Sequence, residues 1–229
     1  MQSIRPTPSI TDYYDALAPA YDRDRFANSY GRYVDGLERA IVRSWLRGVD
    51  PNGVVDLACG TGRFLDFAAT GVDLSAAMLE RAREKWPART LVHADAACTG
   101  LPSAGFDAAV CFHLLMHLDE ASCRAVLAEA ARLVRPGGRL IADIPSAPRR
   151  GLARRPASGW HGDTAATLAD VRRWAGDAWR MRQWRGIVAI PIHRLPSALR
   201  APLAGADALV GRTPLGRWSS YYVLRMERA

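Results

Sequence analysis

The sequence lacks several features that would place it in a broad class. Lysine occurs only once, at Lys85, although the 229 residues contain 31 lysines and arginines together. No apolar stretch approaches the roughly 20 residues that span a bilayer. Residues 1–12 are polar and contain proline, instead of the apolar core of a secretory signal. The sequence therefore predicts a protein without stable membrane insertion, which we expect in the cytoplasm.

Cysteine is also scarce. Its four occurrences, Cys59, Cys98, Cys111 and Cys123, are scattered without the spacing of a metal site. They indicate reduced thiols rather than a disulfide framework. The cysteine spacing therefore predicts no bound metal. No separate module for RNA or DNA is visible, so we expect no nucleic-acid partner.

Positive charge is concentrated in the last third of the chain. Residues 149–229 hold fifteen arginines against five acids, so the net charge of this part is +10. The rest of the chain has a net charge of −2, which gives the total of +8. Arginine in place of lysine, together with abundant alanine, is typical of a compositional bias of the source. The functional alternative is an anionic substrate, a carrier or a membrane surface.

The most informative segment is residues 54–63, where an apolar run ends in Asp56 and a Gly-x-Gly turn follows. Glycine has no Cβ and tolerates positive φ, so such a turn brings bare backbone close to a ligand. A second short apolar run ends in Asp73, where a carboxylate at a strand end can accept two ribose hydroxyls. A nicotinamide-binding site is an alternative, but it usually has a third glycine, and Leu65 stands at that place.

Along residues 50–145 the chain resembles the class I S-adenosylmethionine (SAM)-dependent methyltransferases. Residues 54–63 and 71–75 resemble the first two strands of that family and its glycine loop. Residues 92–95 and 106–111 are similar to its third and fourth strands, and residues 133–140 to its turn into the fifth. The five segments occur in the family's order, and the resemblance implies SAM as the cofactor.

The resemblance also implies where the cofactor binds. Asp73 would hold the ribose hydroxyls, and Asp95 would contact the adenine amino group. Tyr14 and Tyr21 stand in Tyr-Asp pairs that resemble a lid helix over the cofactor, although they also fit tyrosines that pack a helix onto the domain. The implied cofactor residues are Tyr14, Tyr21, Asp56, Ala58, Cys59, Gly60, Gly62, Asp73, Leu74, Asp95, Ala96 and Phe112. At Ala58 the family often has glycine.

We therefore predict an α/β fold, a Rossmann-like doubly wound seven-stranded sheet in one domain, 1–229. Residues 1–49 would form an N-terminal helical lid and residues 50–145 the cofactor-binding core. Residues 146–229 would form the acceptor-side half, closed by an antiparallel strand pair at 179–190 and 219–228. Between these strands lies a C-terminal cap insertion of about residues 191–218, too long for a tight hairpin.

Local patterns predict the remaining elements. Residues 11–47 predict two helices interrupted near Pro19, and residues 63–69 about two turns of helix. Ser75 and Asp119 are predicted N-caps of the next two helices. Residues 147–162 predict a loop, and residues 164–175 a helix.

Two histidines follow the fourth strand. His113 and His117 are four residues apart, so on a helix they would share a face. A neutral imidazole suits a general base, and we predict that His117, more than His113, serves the acceptor. The alternatives are surface or capping histidines; zinc binding lacks a nearby acidic ligand.

The cap and the tryptophans carry the remaining hypotheses. Leu195, Leu199 and Leu203 recur every four residues and predict an apolar helix face, with Pro196 in its first turn and Pro202 limiting its length. Arginines at its edge could hold phosphate or carboxylate. The carboxy-terminal half also contains aromatic and imidazole side chains that would line an aromatic acceptor pocket or simply fill the core. These are Trp160, His161, Trp174, Trp179, Trp184, His193 and Trp218.

The sequence thus predicts SAM-dependent methylation of a small-molecule acceptor at O, N or C in a biosynthetic pathway. The acceptor could be anionic or carrier-bound. One alternative is a phospholipid or quinone methyltransferase at the membrane surface, favoured by the basic half. Others are a non-methylating SAM-binding enzyme such as a cyclase, and a SAM-sensing scaffold. The sequence does not predict the oligomeric state.

Overall fold

The computed structural model describes residues 10–153, 162 and 164–229; the first nine residues of the predicted lid, Trp160 and His161 lie outside the described residues. Eight α-helices lie within this part of the chain. They are α1 (Ile10–Leu17), α2 (Tyr21–Arg25), α3 (Ser29–Trp45), α4 (Ala76–Lys85), α5 (Glu120–Leu133), α6 (Ala147–Ala153), α7 (Leu168–Ala175) and α8 (Ser197–Val210).

Seven strands form one sheet. They are β1 (Val54–Leu57), β2 (Thr70–Asp73), β3 (Thr90–His93), β4 (Phe106–Cys111), β5 (Val134–Pro145), β6 (Trp179–Ile187) and β7 (Tyr221–Arg228). Their order across the sheet is β3-β2-β1-β4-β5-β7-β6. The first five pair in parallel, and β7 lies antiparallel between β5 and β6. The predicted seven-stranded sheet is confirmed.

Helices cover both faces of this sheet, as its nearly continuous apolar strands require. On one face, buried residues of α5 and α7 pack against β4, β5 and β7. On the other face, α3, α4 and α8 pack over the same sheet. The first helix, α1, instead contacts α4 and lies toward the carboxyl ends of the strands. No helix in the described residues is both long and apolar enough to cross a bilayer.

The predicted N-caps are confirmed. The Ser75 side chain accepts from the backbone N–H of Met78 at the start of α4, and the Asp119 side chain accepts from Ser122 at the start of α5. In each case the cap satisfies one of the N–H groups that the first helical turn leaves without a partner.

Two predictions for the N-terminal half are wrong. Residues 11–47 form three helices, because α1 ends before Pro19 and Asn28 caps a new helix by accepting from Gly31 N. Residues 63–69 do not form a helix. The chain there makes successive turns, with bonds spanning three residues such as Phe67 N to Phe64 O, because only a short link joins β1 to β2.

Two further predictions fail in the carboxy-terminal half. Residues 147–153 form α6 rather than a loop, and Pro148 lies in its first turn, where a missing N–H is tolerated. In the cap, α8 starts after Pro196 and continues through Pro202. Its buried side is not the predicted leucine stripe, since Leu199 is 52% exposed. Instead the buried carboxylate of Asp207 accepts from the backbone of Val188 and Ile190, just after β6.

Candidate functional site

The carboxyl ends of four parallel strands meet at one edge of the sheet. Ala58 follows β1, Asp73 ends β2, Asp95 follows β3 and Phe112 follows β4. The strand order reverses between β1 and β4, and in open α/β sheets such a switch point leaves a crevice for ligands.

A cavity of about 260 Å³ occupies this crevice. We call it the main cavity. Of the predicted cofactor and catalytic residues, eleven line it: Tyr14, Tyr21, Ala58, Gly60, Asp73, Leu74, Asp95, Ala96, Phe112, His113 and His117. Gly60 has a φ of +54°, and nothing lies within 4 Å of where its Cβ would be, so the glycine loop presents bare backbone toward open space.

Asp73 is the acid that fixes this loop. Its Oδ2 accepts from Gly60 N at 2.7 Å, and its Oδ1 accepts from Ser75 N at 2.8 Å. Burial raises the pKa of Asp73, while these backbone N–H donors act in the opposite direction. Each carboxylate oxygen keeps a lone pair for a ligand hydroxyl, which fits the vicinal diol of a ribose.

Three predicted cofactor residues do not line the main cavity. Asp56 is buried in β1, and burial raises its pKa far above the ordinary value, which favours a neutral carboxyl. Cys59 is buried against Gly71, and burial likewise raises the pKa of its thiol. Gly62 has a φ of +83°, and a Cβ there would meet Trp86 at 2.8 Å, so this glycine serves the packing of the loop.

Ala58 has a φ of +61°, in the left-handed region that disfavours residues with a Cβ. Glycine would adopt this conformation without strain. The loop at Ala58 therefore keeps the backbone conformation that suits the glycine which the family often has there.

The N-terminal helices close the main cavity from above. Asp15 on α1 hydrogen-bonds Ser75 Oγ, and Asp22 on α2 accepts from Thr61 Oγ1 at 2.6 Å and pairs with Lys85 at 2.6 Å. These contacts join the two helices to the glycine loop and to α4. They place the Tyr14 and Tyr21 rings, whose centroids are 6.1 Å apart, over the cavity.

The two histidines do not share a helix face. His113 has a φ of +58° and precedes a short 3₁₀ helix, Leu115–His117. Both side chains nevertheless line the main cavity. His117 Nε2 lies 2.9 Å from the hydroxyl of Tyr14, with the two rings edge to face. Burial raises the pKa of Tyr14 well above its ordinary value, so this phenol stays neutral at pH 7.

His113 instead belongs to a buried ion-pair cluster. Its Nε2 lies 3.1 Å from a carboxylate oxygen of Glu38, and its Nδ1 lies 3.7 Å from Asp143. Arg63 completes the cluster at 2.7 Å from Glu38. Burial lowers the pKa of His113, but the two carboxylates outweigh burial and raise it above its ordinary value. His113 is therefore held toward the charged imidazolium, which is a poor general base.

The pKa values of the two carboxyl groups in this cluster shift in opposite directions. Burial would raise the pKa of Glu38, but His113 and Arg63 lower it to about 2. Burial raises the pKa of Asp143. Glu38, His113 and Asp143 offer ligand atoms within 4.8 Å of one another, yet the Arg63 guanidinium already neutralises Glu38 and would repel a cation there.

Sequence reasoning missed Glu38 and Asp143, the two acids of this cluster, although each left a signal. Glu38 is charged and lies on the apolar stripe of α3, four residues after Val34. Asp143 is the only charged residue in the apolar segment 140–144 of β5. Buried charges are rare unless paired, so an acid inside an apolar stripe predicts a partner on a neighbouring element.

A second cavity, of about 160 Å³, adjoins the main cavity. We call it the aromatic cavity, because rings make up much of its wall. It is lined by Tyr14, Tyr21, Arg25, Phe26, Tyr30, Gly31, Val34, His113, Met116, His117 and Tyr221. Tyr14, Tyr21, His113 and His117 line both cavities, so they stand where two ligands would meet. No described tryptophan lines either cavity; Trp174 and Trp179 pack in the core instead.

Comparison with known proteins matches this architecture to one family. A sequence model described as a methyltransferase domain matches residues 55–142. An uncharacterised methyltransferase of Mycobacterium tuberculosis is 32% identical over 170 residues, which cover 67% of this chain and 78% of that protein. A ubiquinone/menaquinone biosynthesis C-methyltransferase of Desulfotalea psychrophila is 30% identical over 158 residues, which cover 63% and 61% of the two chains.

Solved structures share the fold at low sequence identity. Magnesium protoporphyrin IX methyltransferase from Synechocystis PCC 6803, with S-adenosylhomocysteine (SAH) bound, superposes with a TM-score of 0.66. The two sequences are 17% identical, and the superposition covers 96% of this chain and 98% of the other.

Proposed function

The chain belongs to the class I SAM-dependent methyltransferases, and on that premise we propose that it methylates a small-molecule acceptor whose proton is removed by His117. The enzyme class and the cofactor SAM follow from the family. The acceptor and the role of His117 are the proposal, and the juxtaposition of Tyr14 and His117 between the two cavities is the observation that carries it.

The main cavity fits the cofactor. The open space beside Gly60 admits a ligand at the glycine loop, and Asp73 offers two carboxylate oxygens to a ribose. Asp95 lies at the far end of the row of strand ends, where the family contact with adenine is expected. When bound, SAM supplies an electrophilic methyl group on a sulfonium.

The residues between the cavities then have separate tasks. His117 accepts the proton of the acceptor at Nε2, the atom that now faces Tyr14. The neutral Tyr14 phenol can donate to that atom and hold the imidazole ring in place until the acceptor hydrogen replaces it. The lid helices exclude water and fix the approach of the acceptor, which is the main requirement of an in-line displacement.

The size and composition of the aromatic cavity support a small, planar acceptor. Its volume of about 160 Å³ is sufficient for a small ring system. Phe26, Tyr30 and Tyr221 offer flat apolar surfaces against which an aromatic ring packs well. The Desulfotalea relative is named for ubiquinone/menaquinone biosynthesis, and a quinone ring is one acceptor of this planar shape.

The proposal is tested by incubating the protein with methyl-labelled SAM and a metabolite extract, then separating small molecules from protein and nucleic acid. We expect label in the small-molecule fraction together with SAH, and we expect Asp73→Ala to reduce both. Label confined to macromolecules, or SAM binding with no SAH formed, would overturn the proposal. The second outcome would favour a non-methylating enzyme.

A further inference from the structure

A third cavity, of about 560 Å³, lies beside the aromatic cavity at the end of β5. We call it the basic cavity. Its wall includes Arg149, Arg150, His193 and Arg194, together with Tyr30 and Tyr221, and no acidic residue among the described residues lines it. Four cationic or imidazole side chains around one concave space focus a positive potential there.

Two of these arginines have no ion-pair partner among the described residues. Neither Arg149 nor Arg194 lies within ion-pair distance of a carboxylate, whereas Arg63 and Arg173 each pair with two. The charges of Arg149 and Arg194 are therefore not neutralised by a carboxylate of the described residues.

Separate elements bring the two arginines to the cavity and hold them there. Arg149 lies on α6, which starts after the buried Ser146, whose hydroxyl bonds Tyr222 Oη at 3.0 Å. Arg194 ends a short 3₁₀ helix, Ile192–Arg194, anchored by the fully buried Ile192. This second element belongs to the cap insertion, so the cap contributes to this cavity rather than to the main cavity.

The basic cavity adjoins the proposed acceptor site. Tyr30 and Tyr221 line both the basic and the aromatic cavity. The Tyr221 ring also packs edge to face on His113, with centroids 6.3 Å apart. Tyr30 and Tyr221 therefore form a shared wall, along which an acceptor bound at His117 would extend toward the basic cavity.

We propose that the basic cavity binds an oxyanion of the acceptor, a carboxylate or phosphate held by Arg149 and Arg194, while the methylated atom lies at His117. The acceptor is then an elongated molecule with a planar reactive end and an anionic end. This inference rests on the proposed function. It assigns a specificity role to two arginines whose fork geometry suits bidentate contact with an oxyanion.

The first test needs no knowledge of the acceptor. Inorganic pyrophosphate is titrated calorimetrically into the full-length protein saturated with SAH. We expect the wild type to bind it, and Arg149→Gln and Arg194→Gln each to weaken binding on the order of 10-fold. Arg194→Lys should keep part of the affinity, because the charge remains but the fork is lost.

Arg212→Gln is the matched control. Arg212 lies on the same cap insertion and its loss changes the net charge equally, but it lines a different cavity beside Trp45. We expect this variant to bind pyrophosphate like the wild type. The proposal is overturned if the wild type does not bind at millimolar concentrations, or if Arg212→Gln weakens binding while Arg194→Gln does not.

Two further experiments identify the source of the anion and distinguish this inference from the proposed function. The first measures binding to vesicles that contain phosphatidylglycerol, and we expect no binding that depends on Arg194. If Arg194-dependent binding to vesicles occurs while pyrophosphate does not bind, the anion is a lipid headgroup and the inference is wrong. In methyl transfer to the identified acceptor, Arg194→Gln should raise KM with little change in kcat. An unchanged kcat/KM would sink this inference yet leave the methyltransferase proposal standing.

Discussion

The hydroxyl of Tyr14 lies 2.9 Å from Nε2 of His117, although 103 residues separate them in sequence. Tyr14 comes from α1, over the strand ends, and His117 follows β4. The contact therefore joins the N-terminal helices to the segment after β4. It connects the proposed proton acceptor to α1, a helix that we propose helps to exclude water.

His117→Gln should lower kcat on the order of 10²-fold, since the amide cannot accept the proton while the size of the side chain is roughly kept. The affinity for SAM, measured by calorimetry, should stay near that of the wild type. Steady-state rates at several pH values provide the check. A variant with full turnover across pH 6–9 would exclude a base role.

Tyr14→Phe should have a smaller effect than His117→Gln on kcat, because the phenol positions the imidazole but takes no proton. The variant keeps the ring contacts with Tyr21 and His117. We therefore expect a loss of about 10-fold or less in kcat, with thermal stability unchanged. Equal losses in the two variants would assign the proton transfer to the phenol instead.

Asp73→Asn should weaken SAM binding by about 1.5–3 kcal/mol, the contribution of hydrogen bonds to a charged acceptor. The carboxylate also holds Gly60 and Ser75, so part of the loss arises from a looser loop. Asp95→Asn serves as the comparison, and we expect a smaller loss because an amide oxygen can replace that contact. Calorimetric titration with SAM measures both; unchanged affinity in Asp73→Asn would remove its assigned role.

Glu38→Gln should destabilise the fold by about 3–5 kcal/mol at pH 7, because Arg63 and His113 lose their buried counter-charge. Urea unfolding measures the difference. Asp35→Asn is the control: Asp35 also pairs with Arg63, at 2.8 Å, but it is more exposed, so a loss of about 1 kcal/mol or less is expected.

The effect of Glu38 depends on pH with a defined sign. Its pKa falls from an ordinary 4.5 to about 2 in the folded protein. Its contribution to the free energy of unfolding is therefore fully present above pH 4.5 and is lost as the pH falls toward 2. The stability difference between wild type and Glu38→Gln should therefore shrink over that range. A difference that stays constant down to about pH 3 would show that the Glu38 pKa is not lowered.

Ala58→Gly should preserve or raise stability, by up to about 1 kcal/mol, because glycine removes the strain of a positive φ but gains freedom in the unfolded state. Ala82→Gly is the control. Ala82 lies within the helix α4, so glycine there relieves no strain and should destabilise the protein. Thermal unfolding of both variants checks the prediction, and a destabilised Ala58→Gly variant would contradict it.

The sequence predicted the central part of the fold because its signals were local. Apolar runs ending in Asp56 or Asp73 and the Gly-x-Gly turn specify strand ends and a loop through neighbouring residues alone. The caps Ser75 and Asp119 each act on a residue three positions ahead. These elements needed no information from distant parts of the chain.

Predictions failed where tertiary contacts decide the conformation. The cap helix α8 buries the side that carries Asp207, because two backbone N–H groups near β6 require an acceptor. Leu199 on the same helix is left exposed. His113 could not be distinguished from His117 by spacing, since their difference comes from Glu38, 75 residues away. The aromatic and basic cavities likewise join residues from α3, β7 and the cap.

The central claim is that this chain methylates a small molecule with the help of His117. The most direct test is to measure SAH and methylated small molecule formed together by the wild type and by His117→Gln in one assay. We expect equal amounts of the two products from the wild type, and a rate on the order of 10²-fold lower for the variant. SAH formed without a methylated small molecule, or equal rates for the two proteins, would show that the assigned function is wrong.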